Sequence, residues 1–442
     1  MSFDKHPIKD LPLKILDGDR GKKYPKQNDF YNEGFCLFLN TGNVTSNGFV
    51  FTNCSFISQE RHNLLRKGTL QRGDIVLTTR GTVGNCAFYG SKIPFEVVRI
   101  NSGMIILRAE EGLEAKYLYY FLRSNIFSKQ VEALRTGSAQ PQLPIRDIRE
   151  IVIPKPPIED QKAIAHILET LDKKIELNKK TNETLEGITK AIFKSWFIDF
   201  DPVKAKSEGR STGLPDEISD LFPDSFENSE LGQIPKRWQI STSTDFCDSV
   251  RDGTHDSPKQ ISFGGYPLVT SKHIKNKLLD LSSAYNISDE DYHAVNKRSL
   301  VEKGDVLISM IGTLGEILYI DHNPKFAIKN IGLFKSKSEE LGQCWFLYLQ
   351  SKIAKNFLRI NAQGSTQQYL SLATLRSIPV IFPGIILLER FADYTREIFY
   401  QKLQTNNEIQ LLEQIRNTLL PKLISGEIRV PDAEQMIEAI SL

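Results

Sequence analysis

Arginine can pair with both major-groove acceptors of guanine, and glutamine or asparagine with adenine, while lysine and small hydroxyls mostly hold phosphates. Loops combining these residues occur in both halves of the chain. In the first half, Asp17-Gly18-Asp19-Arg20-Gly21-Lys22-Lys23-Tyr24-Pro25-Lys26 sets four cations and an aromatic ring in a loop shaped by glycine and proline. Thr79-Arg80-Gly81-Thr82 and Arg135-Thr136-Gly137-Ser138-Ala139-Gln140-Pro141-Gln142 add more. The second half carries Arg251-Asp252-Gly253-Thr254-His255, Lys329-Asn330 and Gln363-Gly364-Ser365-Thr366-Gln367-Gln368. The candidate nucleic-acid contacts are therefore Arg20, Lys22, Lys23, Tyr24, Lys26, Arg80, Arg135, Gln140, Gln142, Arg251, His255, Lys329, Asn330, Gln363, Gln367 and Gln368. Any one such loop reads equally as a solvated turn. Their recurrence at matching positions is what gives the set weight.

Patterns for catalysis are weak by comparison. Gly209-Arg210-Ser211-Thr212-Gly213 matches the GxSxG nucleophile elbow, but that elbow needs a buried strand before it and a helix after it, and this one lies in a polar, acidic stretch. The sequence has neither GxxxxGKS/T nor HExxH, so a phosphate cradle and a zinc-protease helix both lack their motif. Seven histidines (6, 62, 166, 255, 273, 293, 322) show no metal-like pairing, and His166 suits a surface or packing role on a helix. Five cysteines (36, 54, 86, 247, 344) form no CxxC, which argues against a zinc site or disulfide framework and suits a reducing cytosol. Gly81 with Gly84 and Gly312 with Gly315 follow strands without a full dinucleotide fingerprint, so tight turns are expected there. No catalytic residue, metal site or bound cofactor is expected.

These loops are positioned by one unit used twice. Arg72-Gly73-Asp74-Ile75-Val76-Leu77 through Gly84 recurs 231 residues later as Lys303-Gly304-Asp305-Val306-Leu307-Ile308 through Gly315. Gly137-Ser138-Ala139-Gln140 recurs 227 residues later as Gly364-Ser365-Thr366-Gln367, and the Asp-Gly pair at 17–18 recurs at 252–253. Each unit opens with short β-like runs and closes with a long amphipathic helix, so the fold class is α+β with a pseudo-two-fold internal repeat. Ile164, Leu168, Leu171 and Ile175, then Leu185, Ile188, Ile192 and Trp196, mark the first helical stripe; Phe391, Ile398, Ile409, Leu412, Ile415, Leu419 and Leu423 mark the second. Forty residues of helix reach about 60 Å. A lone helix of that length buries its stripe poorly, so the two are expected to pack as an antiparallel coiled coil. Polar residues at the stripe midpoints (Asn178 and Asn182; Lys402 and Thr405) suit either a solvated stretch or a register-fixing seam.

The expected organisation is a first lobe at 1–157, a helix at 158–200, a loop-like acidic linker at 201–232, a second lobe at 233–384, a helix at 385–424 and a tail at 425–442. A total charge of only +2 hides a division: the lobes carry +7 and +4, the helices and tail are weakly negative, and the linker is −5. Phosphate contacts need local rather than overall basicity. With 40% apolar and 25% charged residues the chain reads as soluble. The start lacks the layout of a secretory signal, and the uncharged stretch 34–59 is too polar to span a bilayer.

Several ordered words carry a family likeness. Pro156-Pro157-Ile158-Glu159-Asp160-Gln161-Lys162-Ala163-Ile164-Ala165, Ser195-Trp196-Phe197-Ile198-Asp199-Phe200-Asp201-Pro202-Val203, Leu231-Gly232-Gln233-Ile234-Pro235-Lys236-Arg237-Trp238 and Leu420-Pro421-Lys422-Leu423-Ile424-Ser425-Gly426-Glu427-Ile428 resemble the helix start, helix exit, second-domain entry and C-terminal segment of the specificity subunit of type I restriction–modification enzymes. The chain departs from that pattern in lacking an Ile-Pro-x-x-Trp entry to its first lobe and a Pro-Pro…Glu-x-Gln start to its second helix. The resemblance implies two target-recognition lobes on double-stranded DNA reading a bipartite site with an unread spacer. It further implies docking of two methyltransferase subunits and association with motor–nuclease subunits in the cytoplasm. S-adenosylmethionine, ATP and magnesium would be used by those partners, and no membrane is involved. Trp196 and Phe197 are candidate docking residues, with core packing an equal reading. The rival is a coiled-coil protein-interaction scaffold without DNA specificity, which explains the helices but not the basic loops.

Overall fold

A computed structural model describes residues 3–137, 141–275, 277–364 and 368–438. The chain divides into two compact units, Met1–Lys179 with Asn407–Leu442, and Lys180–Asn406. The divisions fall inside the two long helices, Ile158–Phe197 and Ile385–Ser425, so each unit owns one lobe and half of each helix.

In the first unit a four-stranded antiparallel sheet runs in the order Leu13–Asp17, Met104–Ala109, Ile75–Thr78, Cys86–Phe88. Its middle strands are apolar on both faces because both faces are covered. Ile75, Leu77, Ile105 and Leu107 pack toward the helices Ala115–Leu122 and Asn125–Leu134 and toward Ile164, Leu168 and Leu171 of the first long helix. Val76, Met104 and Ile106 pack toward a three-stranded sheet that contributes Leu37, Leu39, Val98 and Ile100. In that sheet Cys36–Leu39 lies between Phe56–Ile57 and a parallel partner, Val98–Ile100. Lys5–Pro7 pairs with Val152–Pro154 just before the long helix.

The second unit repeats this plan. Ser249–Asp252, Ile331–Lys335, Val306–Ser309 and Ile317–Tyr319 form the four-stranded sheet. Tyr266–Val269 lies between Asn286–Ile287 and its parallel partner Ala327–Ile328. Gln239–Thr242 pairs with Pro379–Phe382 ahead of the second long helix. Val306, Ile308 and Phe334 face the helical core, and Leu307, Ile331 and Leu333 the other. The repeat seen as a residue offset is thus a repeat of topology and of core layering.

The glycine pairs are turns, as expected. Gly81 (φ 72°) and Gly84 (φ 92°) match Gly312 (φ 81°) and Gly315 (φ 77°), all in the left-handed region that favours glycine. Gly84 N donates to Thr78 O at 3.0 Å and Gly315 N to Ser309 O at 3.1 Å, closing the same loop in each lobe. Asp74 and Asp305, buried at the far end of the strands that lead into these turns, take Arg108 (two bonds of 2.8 Å) and Lys335 (2.8 Å). The Gly-Asp words are therefore structural: a buried carboxylate must be paired.

The first long helix starts after Pro156-Pro157. Its Gln161, fully buried, donates to Pro156 O at 2.9 Å and accepts from Glu114 N at 2.9 Å, tying the helix start to the lobe. In the second unit the pairs Asn182–Asn406 (2.6 Å), Glu186–Lys402 (3.4 Å) and Phe193–Phe391 (centroids 5.5 Å) rise along one helix as they fall along the other, so the two run in opposite directions. In the first unit Leu168 and Leu171 share a core with Leu419 and Leu423, and Lys174–Glu408 (3.1 Å) and Lys179–Glu413 (2.8 Å) flank it. Of the polar midpoint residues, Asn182 finds its partner in Asn406, while the Thr405 hydroxyl bonds back to Gln401 O.

The expectation of a loop-like linker needs correction. Residues 201–232 contain the helix Asp201–Ser207, and the hairpin of Phe226–Ser229 with Gly232–Pro235 begins there. Pro202 suits a helix start, and buried Val203 and Phe222 anchor the segment in the second unit's core, overriding its acidic composition. Gly209 and Gly213 are left-handed turn residues on either side of an exposed Ser211, and the helix Asp201–Ser207 precedes them where an elbow requires a buried strand.

Candidate nucleic-acid interface

The described flanks of the Arg135–Gln142 segment pair with each other and are pinned to the end of the strand Ile75–Thr78. Thr136 and Gln142 exchange backbone hydrogen bonds of 2.9 Å, and Leu143 N donates to Thr79 O at 2.9 Å. Gln142 thereby forms a bridge with Arg80. The second lobe builds the same object: Gln363 and Tyr369 exchange bonds of 2.9 and 2.8 Å, Leu370 N donates to Met310 O at 2.8 Å, and Tyr369 bridges Ile311. The geometry brings the Arg80 and Arg135–Gln142 candidates together beside the Gly81–Gly84 turn. Gln363 and Gln368, both exposed, stand in the corresponding place. Gln140 and Gln367 lie outside the described residues.

The remaining candidates divide by what already occupies them. Arg80, Lys22 and Lys23 are exposed, and their charged groups meet no other described residue; Lys26 is exposed as well. Arg20 is held by Asp17 at 3.0 Å, and Arg135 is paired with Glu132. Asp19 shapes the 17–26 loop by accepting from Gly21 N (2.9 Å) and Arg66 N (2.8 Å), bonds that hold its carboxyl below the usual carboxylate range. The Asp-Gly pairs recur because a Cβ at Gly18 would lie 2.5 Å from Asn101 O and one at Gly253 2.3 Å from Ile328 O. Tyr24 is half-buried with its ring edge-on to Phe38 at 5.7 Å, a packing contact rather than an open platform.

In the second lobe, buried Asp252 organises a network. Arg298 pairs with it, His255 Nε2 lies 2.9 Å from it, and His255 Nδ1 lies 2.9 Å from Asn330 Oδ1. Asn330 adopts φ 52°, a conformation asparagine tolerates better than most residues. Lys329 reaches Ser257, bridging the two loops. Arg251 is a strand residue whose guanidinium donates to Arg298 O at 3.1 Å, which makes it less available than the exposed loop cations.

Trp196 and Phe197 are 2% and 4% exposed. Trp196 packs on Phe391 (5.5 Å) and Phe222 (5.4 Å), and Phe197 on Phe391 (5.3 Å). Of the two readings offered by the sequence, these contacts are core packing, and they leave neither ring free for a partner.

Two carboxylates of the first long helix that sequence reasoning did not single out tie the lobes down. In the first unit Asp172 accepts from Arg123 of the lobe (2.8 Å), Arg416 of the second long helix (2.7 Å) and Tyr120 (3.1 Å). In the second unit Glu186 is met by Lys277 of the lobe, Lys190 (2.6 Å) and Lys402 of the second long helix (3.4 Å). Burial works against the charge of Glu186, but Lys190, Lys277 and Lys402 outweigh it and hold its carboxyl down at about 2. Helical position alone could not reveal these nodes, because their partners come from distant segments. Among the described residues there is no His, Cys, Asp and Glu cluster suited to a metal ion, and no helix long and apolar enough to cross a membrane.

A family model described as the type I restriction modification DNA specificity domain matches residues 7–187 and again 235–417. The chain is 27% identical over 390 residues to the type I restriction enzyme MjaIX specificity subunit of Methanocaldococcus jannaschii, covering 85% of this chain and 84% of that one. It is 26% identical over 458 residues to the HindI specificity subunit of Haemophilus influenzae, covering 93% and 98%. Among solved structures, the S subunit of a type I restriction–modification system from M. genitalium is similar in fold, with a TM-score of 0.52 at 17% identity and 96% of each chain covered.

Proposed function

The chain belongs to the type I restriction modification DNA specificity family, and from that premise we propose that it is the specificity subunit of such a complex, reading a bipartite DNA target across an unread spacer. The observation that carries this reading is one lobe topology built twice with unlike side chains on equivalent loops. A repeated scaffold grips the same polymer twice; unlike loops give each grip its own sequence. The stripes of the long helices form an antiparallel coiled coil, with Asn182–Asn406 as a register pair. Helix length then sets the spacer, since a turn of duplex is about 34 Å.

In this account the chain does no chemistry. Two methyltransferase subunits dock on it and use S-adenosylmethionine. Motor–nuclease subunits supply ATP-driven translocation and cleavage with magnesium, and the assembly works in the cytoplasm. The buried aromatic cluster at Trp196 leaves docking to surfaces of the helices and lobes rather than to those two rings.

The test is selection from a random duplex pool by the full chain with its methyltransferase partners. Enrichment of two short motifs at a fixed gap is expected. Retention of the pool without enrichment would favour the protein-interaction scaffold instead.

A further inference from the structure

The two lobes differ most informatively around the pinned segment. The Gly81-Thr82 and Gly312-Thr313 turns are the same in sequence and in backbone conformation, and both threonines are exposed with hydroxyls that meet no other described residue. The residues beside those turns are not the same. Arg80 bridges Gln142 in the first lobe, where Ile311 bridges Tyr369 in the second. Residues opposed across such a bridge carry their Cβ atoms on one face, about 4.5–5.5 Å apart. A third neighbour follows suit: Arg135 in the first lobe stands where the second has Ala362. The first lobe therefore presents a cation and an amide side by side, and the second an aliphatic and an aromatic side chain, with Tyr369 41% exposed.

Sugar and phosphate are common to every half-site, whereas base edges are not. We infer that Thr82 and Thr313 hold the DNA backbone in their respective half-sites, that Arg80 and Gln142 read purine acceptors by hydrogen bonding, and that Ile311 and Tyr369 read the 5-methyl group of thymine by apolar contact. Arginine and glutamine make two-point contacts with guanine and adenine, and apolar side chains recognise the thymine methyl. The inference rests on the reading that each lobe binds one half-site, and it adds the chemical class that each recognises.

The experiment uses the full chain with its methyltransferase partners and a duplex carrying the selected target. Arg80→Ala should relax one half-site, which marks it as the first lobe's. In the other half-site, replacing thymine by deoxyuridine removes only the methyl. At one or more positions this should weaken binding about fourfold, the worth of one buried methyl group. The same replacement in the first lobe's half-site should change binding less than about twofold. There, 7-deazapurines should weaken it about tenfold or more. Tyr369→Ala should abolish the deoxyuridine penalty. Tolerance of deoxyuridine throughout the second half-site, a second half-site without an A·T pair, or an Arg80→Ala complex with both half-sites unchanged would each overturn the inference. Failure of the underlying reading looks different, because the unaltered complex would then select no interrupted motif at all.

Discussion

Replacing Glu186 by Gln tests whether a single carboxylate fastens the second lobe to the helices beneath it. Lys190 and Lys402 lie 2.6 and 3.4 Å away and Lys277 closes the cluster, so the neutral amide would deprive three lysines of the carboxylate they share. The fall of its carboxyl from an ordinary 4.5 to about 2 corresponds to about 3 kcal/mol. The lysine side chains are 27–38% exposed, so solvent screening reduces the expected loss to about 2 kcal/mol. For a unit spanning residues 180–406, that is a fall in Tm of about 4–8 °C. The sign with pH is fixed, because a depressed carboxylate stabilises the fold above its unfolded value and stops doing so as pH falls through its folded one. The gap between wild type and variant should be full at pH 7, shrink to about three-fifths at pH 3.5 and nearly vanish by pH 2. Urea titrations followed by tryptophan fluorescence at pH 7 and pH 3.5 measure it, since Trp196, Trp238 and Trp345 all lie in this unit. A gap under about 0.5 kcal/mol at pH 7, or one unchanged at pH 3.5, would refute the argument.

Asp172→Asn should destabilise the first unit by about 1–3 kcal/mol, since it leaves Arg123 and Arg416 sharing a neutral partner; equal loss in the second unit's tryptophan signal would contradict that assignment. Replacing Asn182 and Asn406 together by Leu should raise Tm while loosening helix register, read as a broadened set of accepted spacers. A lower Tm would show that the asparagine pair contributes stability rather than register alone. With a thiol reagent under native conditions, one cysteine of five should react readily. Cys54 is half-buried, whereas burial pushes Cys36 and Cys86 up to about 12 and raises Cys247 and Cys344 further. Mass mapping of the label checks it.

The duplication was legible because its shared words are those the fold cannot vary. Gly73-Asp74 and Gly304-Asp305 need a left-handed turn and a paired buried carboxylate, and the apolar runs after them are strands covered on both faces. The long helices were legible from their stripes alone. Contacts made by segments far apart were not. That Arg80 faces Gln142 depends on a segment folding back over 60 residues, and that Asp172 joins Arg123 to Arg416 depends on both long helices. Composition misled at 201–232, where a few buried apolar residues outweigh the acidic excess. Aromatic residues at a helix exit gave no way to tell docking from packing. The partners that decide it, Phe222 and Phe391, lie 26 and 195 residues beyond Trp196.

Genome-wide mapping of methylated bases in cells carrying this chain puts the most direct question to the account. Wild type is compared with a variant bearing four extra residues, about one helical turn, in each long helix. The account predicts two dissimilar motifs separated by a fixed unread gap, with the variant altering the gap and keeping both motifs. An uninterrupted methylated site, or a variant that changes the motifs and leaves the gap as it was, would contradict it.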